Sequence, residues 1–285
     1  MNLAQYRLIV TDLDGTLVKP GTDELAPAVR AAVLKLKGRG IYFTIATGRD
    51  WRHTRGIARE LEVFAPVILQ AGGIVIDPVK EKALRVQPVR PEIENQLRKY
   101  LVSHRSDLET ADHFCLNETG QYFGGKIKTL SGKWLLNKMD YRITVDPASA
   151  PAPALKHLFI GPERQLKRLA MDFSREIHPA PNTILWPSDP GTKDWFLEVF
   201  DPAASKGQAV KWLADSLKIK RRQVLAFGDG VNDIDLLKWA GCGVAVEGSL
   251  PEVAAAADCL VPGPESDGVA RFLLDSLEGP CLDCG

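Results

Sequence analysis

Residues 6–18 read YRLIVTDLDGTLV, an apolar run that delivers two aspartates spaced two apart and then a glycine. The aliphatic stretch at 8–11 predicts a buried strand, with Asp12 at its C-terminal end and Asp14 in the turn that follows. Both carboxylates then emerge at one edge of a sheet, the edge where open α/β sheets bind their ligands. Two carboxylates so close together repel, and they are costly unless a cation or a proton is shared between them. The rest of the chain is therefore read for groups that supply the cation and an anionic substrate.

Working outward, Val29, Ala32, Val33 and Leu36 recur at spacings of three and four and predict a helix over 26–37, ended by Gly38 and Gly40. A short apolar run at 41–46 leads into the turn Thr47-Gly48-Arg49, and Asp50 is placed to cap a helix running to about residue 62. Strands are expected at 67–69 and 74–76 on either side of Gly72-Gly73. Strands alternating with helices at this rhythm predict right-handed βαβ units and a parallel sheet.

From about residue 80 the texture changes. A helical pattern of Ile93, Leu97, Tyr100 and Leu101 follows Pro91, residues 109–143 are irregular, and PASAPAP at 147–153 reads as a loop or hinge. Beyond it come a strand at 158–160 and a helix opened by Pro162, with Leu166, Leu169, Ala170, Phe173 and Ile177 on one face. The first pattern resumes near Trp195, with a strand at 196–199, a helix capped by Ser205 and a strand at 224–227 that ends in Gly228 and Asp229. The expected fold is α/β: a doubly wound parallel sheet from residues 1–80 and 195–285, with an α/β cap domain inserted at 81–194.

Composition bounds the function. The 285 residues are 45% hydrophobic and 25% charged, the balance of a globular protein. Equal numbers of basic and acidic residues, 36 of each, disfavour a nucleic-acid partner held by general electrostatics. The N-terminal segment lacks the basic leader and apolar core of a secretory signal, and the longest apolar stretch, 63–76, is broken by Pro66, Gln70, Gly72 and Gly73. A cytoplasmic chain without a membrane partner is expected, and its oligomeric state is not legible. Five cysteines, Cys115, Cys242 and Cys259 among them in apolar or glycine-containing context, suit reduced thiols. Cys281 and Cys284 form a lone CxxC at the end of the chain and read as a tail.

Four expected strand ends are each followed by polar residues: Asp12 with Asp14, Thr47, Lys206 just inside its helix, and Asp229 with Asn232 and Asp233. In a parallel sheet these ends point the same way, so the residues converge on one crevice. Several carboxylates beside a lysine and a hydroxyl suit a hard divalent cation next to a phosphate, and oxygen ligands suit Mg²⁺. Each piece alone has a plainer reading: Asp14-Gly15 is a common turn pair, Thr47-Gly48-Arg49 a strand-to-helix turn, Lys206 a solvated helix start and Asp229 a helix cap. The conjunction in this order is what carries the reading.

DLDGT at 12–16, ATGR at 46–49, SKG at 205–207 and GDGVND at 228–233 resemble the four motifs of the haloacid dehalogenase superfamily of phosphatases. The inserted block and the tail pattern ending in DGVA are most similar to its Cof-type branch, which implies a Rossmann-like core. The resemblance implies a small-molecule phosphate ester as substrate and Asp12 as the nucleophile that forms an aspartyl-phosphate. Asp14 would protonate the leaving oxygen and then activate water. It further implies Mg²⁺ held by Asp12, the Asp14 carbonyl and Asp229, with Asp233 and Asn232 orienting metal and phosphate. Thr47 and Lys206 would bind phosphate oxygens. Opposite protonation states are expected for the pair, Asp12 ionised and Asp14 protonated. One departure stands out: where Cof-type sequences usually have asparagine before a glycine, this chain has Ala71-Gly72. A phosphomutase acting on a sugar phosphate and a non-catalytic phosphometabolite-binding regulator are the alternatives. Trp134, Trp186 and Trp195 are candidate leaving-group contacts whose plainer role is packing.

Overall fold

The computed structural model describes residues 3–118, 120–138, 153–188 and 191–278. The Cys281 and Cys284 pair, and the 147–153 loop apart from Pro153, lie outside the described residues. The chain forms two compact units, Met1–Arg85 with Ser205–Gly285, and Val86–Ala204.

The first unit opens with β1 (Leu8–Thr11), α1 (Pro27–Gly38), β2 (Tyr42–Ile45), α2 (Trp51–Glu60), β3 (Val67–Leu69), β4 (Ile74–Asp77) and β5 (Lys82–Val86). The second unit carries α3 (Pro91–Ser103), β6 (Asp112–Leu116), β7 (Tyr122–Gly124), α4 (Leu130–Lys138), β8 (Lys156–Pro162), α5 (Glu163–Glu176), β9 (Asn182–Pro187) and β10 (Asp194–Phe200). The chain then returns to the first unit with α6 (Lys206–Ser216), β11 (Val224–Gly228), α7 (Ile234–Trp239), β12 (Cys242–Val246), α8 (Pro251–Ala254), β13 (Cys259–Val261) and α9 (Gly268–Glu278).

The core sheet runs β13-β12-β11-β1-β2 with every pairing parallel. Helices cover both faces, so β1 is buried at every residue rather than at alternate ones. Leu8 and Val10 pack with Val210, Leu213 and Leu236 on one side. Ile9 packs with Phe43, Val33 and Leu273 on the other. Each such aliphatic side chain contributes about 1.5–3 kcal/mol when fully buried. Asp50 caps α2 by accepting from the His53 N–H, and Ser205 caps α6 by accepting from the Gln208 N–H, as the helix-start residues predict. No helix among the described residues is long and apolar enough to cross a membrane.

The second unit is a sheet ordered β7-β6-β8-β10-β9, antiparallel throughout. α3 and α5 pack on it through Leu97, Tyr100, Leu166 and Phe173 against Phe159 and Leu197. β10 departs from the sequence reading, which returned the chain to the core near Trp195. Phe196 pairs with Ile160 of β8 and with Trp186 of β9, so the strand belongs to this sheet. A short apolar run looks alike in either sheet; its buried charge, Glu198, is paired with Lys156 of β8. Asp201, fully buried just beyond β10, accepts from the Arg90 guanidinium at 2.8 and 2.9 Å and from the Arg90 and Ala203 N–H groups.

After β3 the backbone turns through three left-handed residues, Gln70, Ala71 and Gly72, into antiparallel β4. A Cβ added at Gly72, whose φ is +101°, would stand 2.1 Å from the Ser205 carbonyl oxygen. Gly72→Ala is therefore expected to cost about 1–3 kcal/mol. The readout is a lower urea midpoint at unchanged m-value. Gly38→Ala, with nothing within 4 Å of the same atom, is expected to change the midpoint little.

Candidate active site

The site is built at the C-terminal ends of adjacent β1 and β11. Thr11 pairs with Phe227, and the Asp12 N–H donates to the Phe227 carbonyl at 3.0 Å, which fixes Asp12 beside the end of β11. Gly15 lets the two loops close. Its φ is +85°, and a Cβ there would lie 2.3 Å from Asp229 Oδ2. The neighbouring Thr16 hydroxyl donates to Asp229 Oδ1 at 2.5 Å.

Lys206 enters as the first residue of α6 and is only 1% exposed. Its Nζ donates to Asp12 Oδ1 and to Asp233 Oδ1, each at 2.6 Å. A cation at a helix N-terminus opposes the helix dipole, and these two carboxylates compensate it. The other oxygen of Asp233 accepts from the Asp229 and Gly230 N–H groups at 3.2 and 3.0 Å, so Asp233 ties the loop after β11 to the lysine. Asp235 Oδ2 accepts from the Gly207 N–H at 3.0 Å and fixes the same helix start from outside.

Three carboxylates meet one ammonium here. Burial pushes the Asp12 carboxyl well up; Lys206 opposes that shift, while Asp233 and Asp229 add to it. Asp229 is pushed up to about 6, by burial first and by Asp233 and Asp14, against the Thr16 hydroxyl and Lys206. For Lys206 burial favours the neutral amine, but Asp12 and Asp233 outweigh it and hold the ammonium charged. The surplus of negative charge fits a second cation. Carboxylate oxygens of Asp12, Asp229 and Asp233 lie within 4.8 Å of one another, an all-oxygen set suited to a hard divalent ion.

Across the site, Thr47 is 1% exposed at the end of β2. It donates its N–H to the Ile68 carbonyl, accepts from the Ala71 N–H on its own carbonyl, and accepts from the Arg49 N–H on its hydroxyl. Arg49, which the sequence reading left as part of a turn, reaches back to Asp14 and donates to both its oxygens at 2.8 and 2.6 Å. It also donates to Asp23 and to the carbonyls of Thr22 and His53. Asp14 is thereby gripped through both its oxygens by one guanidinium. Asn232 is half-buried in the loop after β11.

A family model described as haloacid dehalogenase-like hydrolase matches residues 9–273. The chain belongs to that family. The HMP-PP phosphatase of Citrobacter koseri is 28% identical over 282 residues, covering 97% of this chain and 97% of that protein. A haloacid dehalogenase-like hydrolase from Bacteroides thetaiotaomicron superposes with a TM-score of 0.75 at 25% identity, over 94% of this chain and 98% of the other. The HAD subclass IIB sugar phosphatase BT4131 shares the fold at a TM-score of 0.74 and 18% identity, over 94% and 98%. The chain is a phosphatase of the family's Cof type.

Within that family pattern, Ala71 holds a left-handed backbone at φ +52°, a conformation asparagine adopts more readily than alanine. Its neighbour Gln70 is 4% exposed, and its Oε1 has no hydrogen-bond partner among the described residues. Thr16, Arg49 and Asp235 are the site residues that sequence reasoning missed. All three lie inside or next to the recognised motifs, which is the signal that could have found them. In the second unit, Trp186 stacks on Phe196 at 4.3 Å, Lys167 covers the Trp195 ring at 5.5 Å, and Trp134 is exposed.

The electrostatics generate a pH prediction for protein stripped of divalent ions. Asp229 binds its proton more tightly in the folded chain, about 6 against an ordinary value of 3.8. The stability it contributes is thus complete below about pH 3.8 and is lost as pH rises through about 6. Melting curves between pH 4 and 7 are expected to show that decline in the wild type and a flatter profile in Asp229→Asn. A divalent cation added at pH 7 is expected to raise the wild-type melting temperature and to leave Asp229→Asn nearly unchanged.

Proposed function

We propose that the chain is a Mg²⁺-dependent phosphatase that hydrolyses small phosphate monoesters, sugar phosphates or phosphorylated cofactors, through an aspartyl-phosphate on Asp12. The observation that carries this reading is the buried Lys206 ammonium held between Asp12 and Asp233, with Asp229 beside it. The Citrobacter koseri HMP-PP phosphatase, similar over nearly the whole chain, supports a small phosphorylated substrate.

Asp12, the Asp14 carbonyl and Asp229 would hold the ion, with Asp233 positioning its loop. Mg²⁺ bound there supplies positive charge that offsets the charge of the phosphoryl oxygens. Lys206 keeps Asp12 ionised and binds a phosphoryl oxygen, while the Thr47 hydroxyl and the Asn232 amide bind others. Asp14, freed from Arg49 at one oxygen, takes up a proton from solvent; an Asp12 carboxylate oxygen then attacks phosphorus, the new O–P bond forms as the bond to the leaving oxygen breaks, and Asp14 gives that oxygen its proton. Asp14, now a base, takes a proton from water as the water attacks phosphorus. The bond between Asp12 and phosphorus then breaks and inorganic phosphate leaves. For Asp14 to act, one of its oxygens has to leave Arg49, so substrate binding is coupled to opening that ion pair.

Release of free phosphate from a panel of sugar phosphates and phosphorylated cofactors, with and without Mg²⁺, tests the reading. Activity on at least one ester that chelation abolishes is expected. Asp12→Asn is expected to lower kcat by about 10⁴-fold or more, and Asp14→Asn by about 10²–10⁴-fold. Wild-type turnover in Asp12→Asn, or an inert panel, would remove the proposal.

A further inference from the structure

The second unit carries a group of side chains that the phosphatase chemistry does not use. His113 and Cys115 stand two apart on β6 and so share one face of the sheet. His157 on β8 lies directly opposite Cys115 in the antiparallel register. Three ligand-type atoms converge: His113 Nε2 and His157 Nδ1 are 3.0 Å apart, and Cys115 Sγ is 3.9 Å from the first and 3.3 Å from the second. Both imidazoles are held from behind. His157 Nε2 contacts Glu94 Oε2 of α3 at 2.7 Å, and the Arg98 guanidinium holds the other oxygen of Glu94 at 2.6 Å. The His113 ring stacks on Phe159 at 4.4 Å. All three residues line a cavity of about 790 Å³ with Arg98, Arg105 and Lys126 at its margin.

We propose that His113, Cys115 and His157 form a zinc site in the second unit, with its fourth coordination position open to this cavity. A tetrahedral ion with bonds of about 2.05 Å to nitrogen and about 2.3 Å to sulfur sets nitrogens about 3.3 Å apart and sulfur about 3.6 Å from each. The two sulfur distances, 3.9 and 3.3 Å, bracket the second value and the nitrogens, at 3.0 Å, stand slightly closer than the first, so only small side-chain movements separate this arrangement from coordination. Imidazole and thiolate are borderline and soft donors that select zinc over Mg²⁺. An imidazole whose far nitrogen is fixed by a carboxylate, as Glu94 fixes His157, is the usual outer support of such a ligand.

Two plainer readings account for less. A thiol activated as a nucleophile needs one imidazole, whereas here a second imidazole converges on the same point. Simple packing explains neither why three donor atoms face one another nor why they gather at a cavity. Burial pushes the Cys115 thiol up, but His157 and His113 outweigh it and bring it down to about 5. Burial likewise disfavours a charged His157, yet Cys115 and Glu94 raise it to about 10, so a proton on Nδ1 has to leave before an ion can bind there.

The test uses the full-length protein stripped with a chelator and dialysed against Zn²⁺ in excess Mg²⁺. One zinc per chain by elemental analysis is expected. Co²⁺ in its place is expected to give the visible bands of a tetrahedral ion and a thiolate charge-transfer band, a readout that needs no variant. Cys115→Ser and His113→Gln are expected to lose the ion, and Glu94→Gln to weaken it about 10–100-fold. Asp12→Asn and the double variant Cys281→Ser, Cys284→Ser are expected to keep it. No retained zinc in the wild type, no thiolate band with Co²⁺, or an ion that follows Asp12 or the tail cysteines overturns the assignment. Each of these results is independent of phosphatase turnover.

Discussion

A buried ammonium shared by two buried carboxylates governs the first unit. Taking such charges out of water costs several kcal/mol per ion, a cost met only when every member stays paired. Lys206 meets it with Asp12 and Asp233, and Asp233 in turn binds the backbone N–H groups of Asp229 and Gly230. These contacts leave the group with more negative charge than one lysine neutralises. Burial therefore raises both Asp12 and Asp229, and the folded chain holds a standing preference for a further cation.

The topology makes that arrangement possible. β1 is sandwiched between β11 and β2, so the first aspartate motif and the last acidic loop end side by side although Thr16 and Asp229 are 213 residues apart in sequence. Non-local parallel pairings are slow to form, because loop closure precedes the contacts that reward it. Their stability comes from the two apolar faces of the sheet rather than from the polar site. The site is thus a dependent of the core: where Ile9, Val10 and Phe227 pack, Asp12 and Asp229 follow.

What the sequence revealed divides along physical lines. Period-matched apolar runs and capping residues placed β1, α1, α2, α6 and β11, because those signals are local. Asp12, Lys206, Asp229 and Asp233 were singled out because they sit at expected strand ends and helix starts, and the fold brings them together. Arg49 was passed over because nothing local says that a guanidinium folds back 35 residues to Asp14. β10 was misassigned because an apolar strand does not state its partner, although Glu198 within it asked for a buried cation. His113, Cys115 and His157 carry no metal-ligand spacing in sequence. Only the pairing of β6 with β8 brings them together.

The two aspartates that open the chain differ in environment more than in chemistry. Asp12 ends a fully buried strand, is 6% exposed and is locked by Lys206 and a backbone hydrogen bond. The Asp14 side chain is 39% exposed, two residues further on, and its partner Arg49 also serves Asp23 and two carbonyls. In the proposed reaction a nucleophile has to be fixed and ionised, whereas an acid that becomes a base has to exchange partners within one turnover. A buried, fully coordinated carboxylate suits the first task and an exposed one held by a shared guanidinium suits the second. Arg49 can release one oxygen of Asp14 without becoming an unpaired buried charge, since Asp23 and the carbonyls of Thr22 and His53 remain. The asymmetry between the two carboxylates therefore comes from their surroundings, burial beside Lys206 for one and exposure beside Arg49 for the other, rather than from the aspartates themselves.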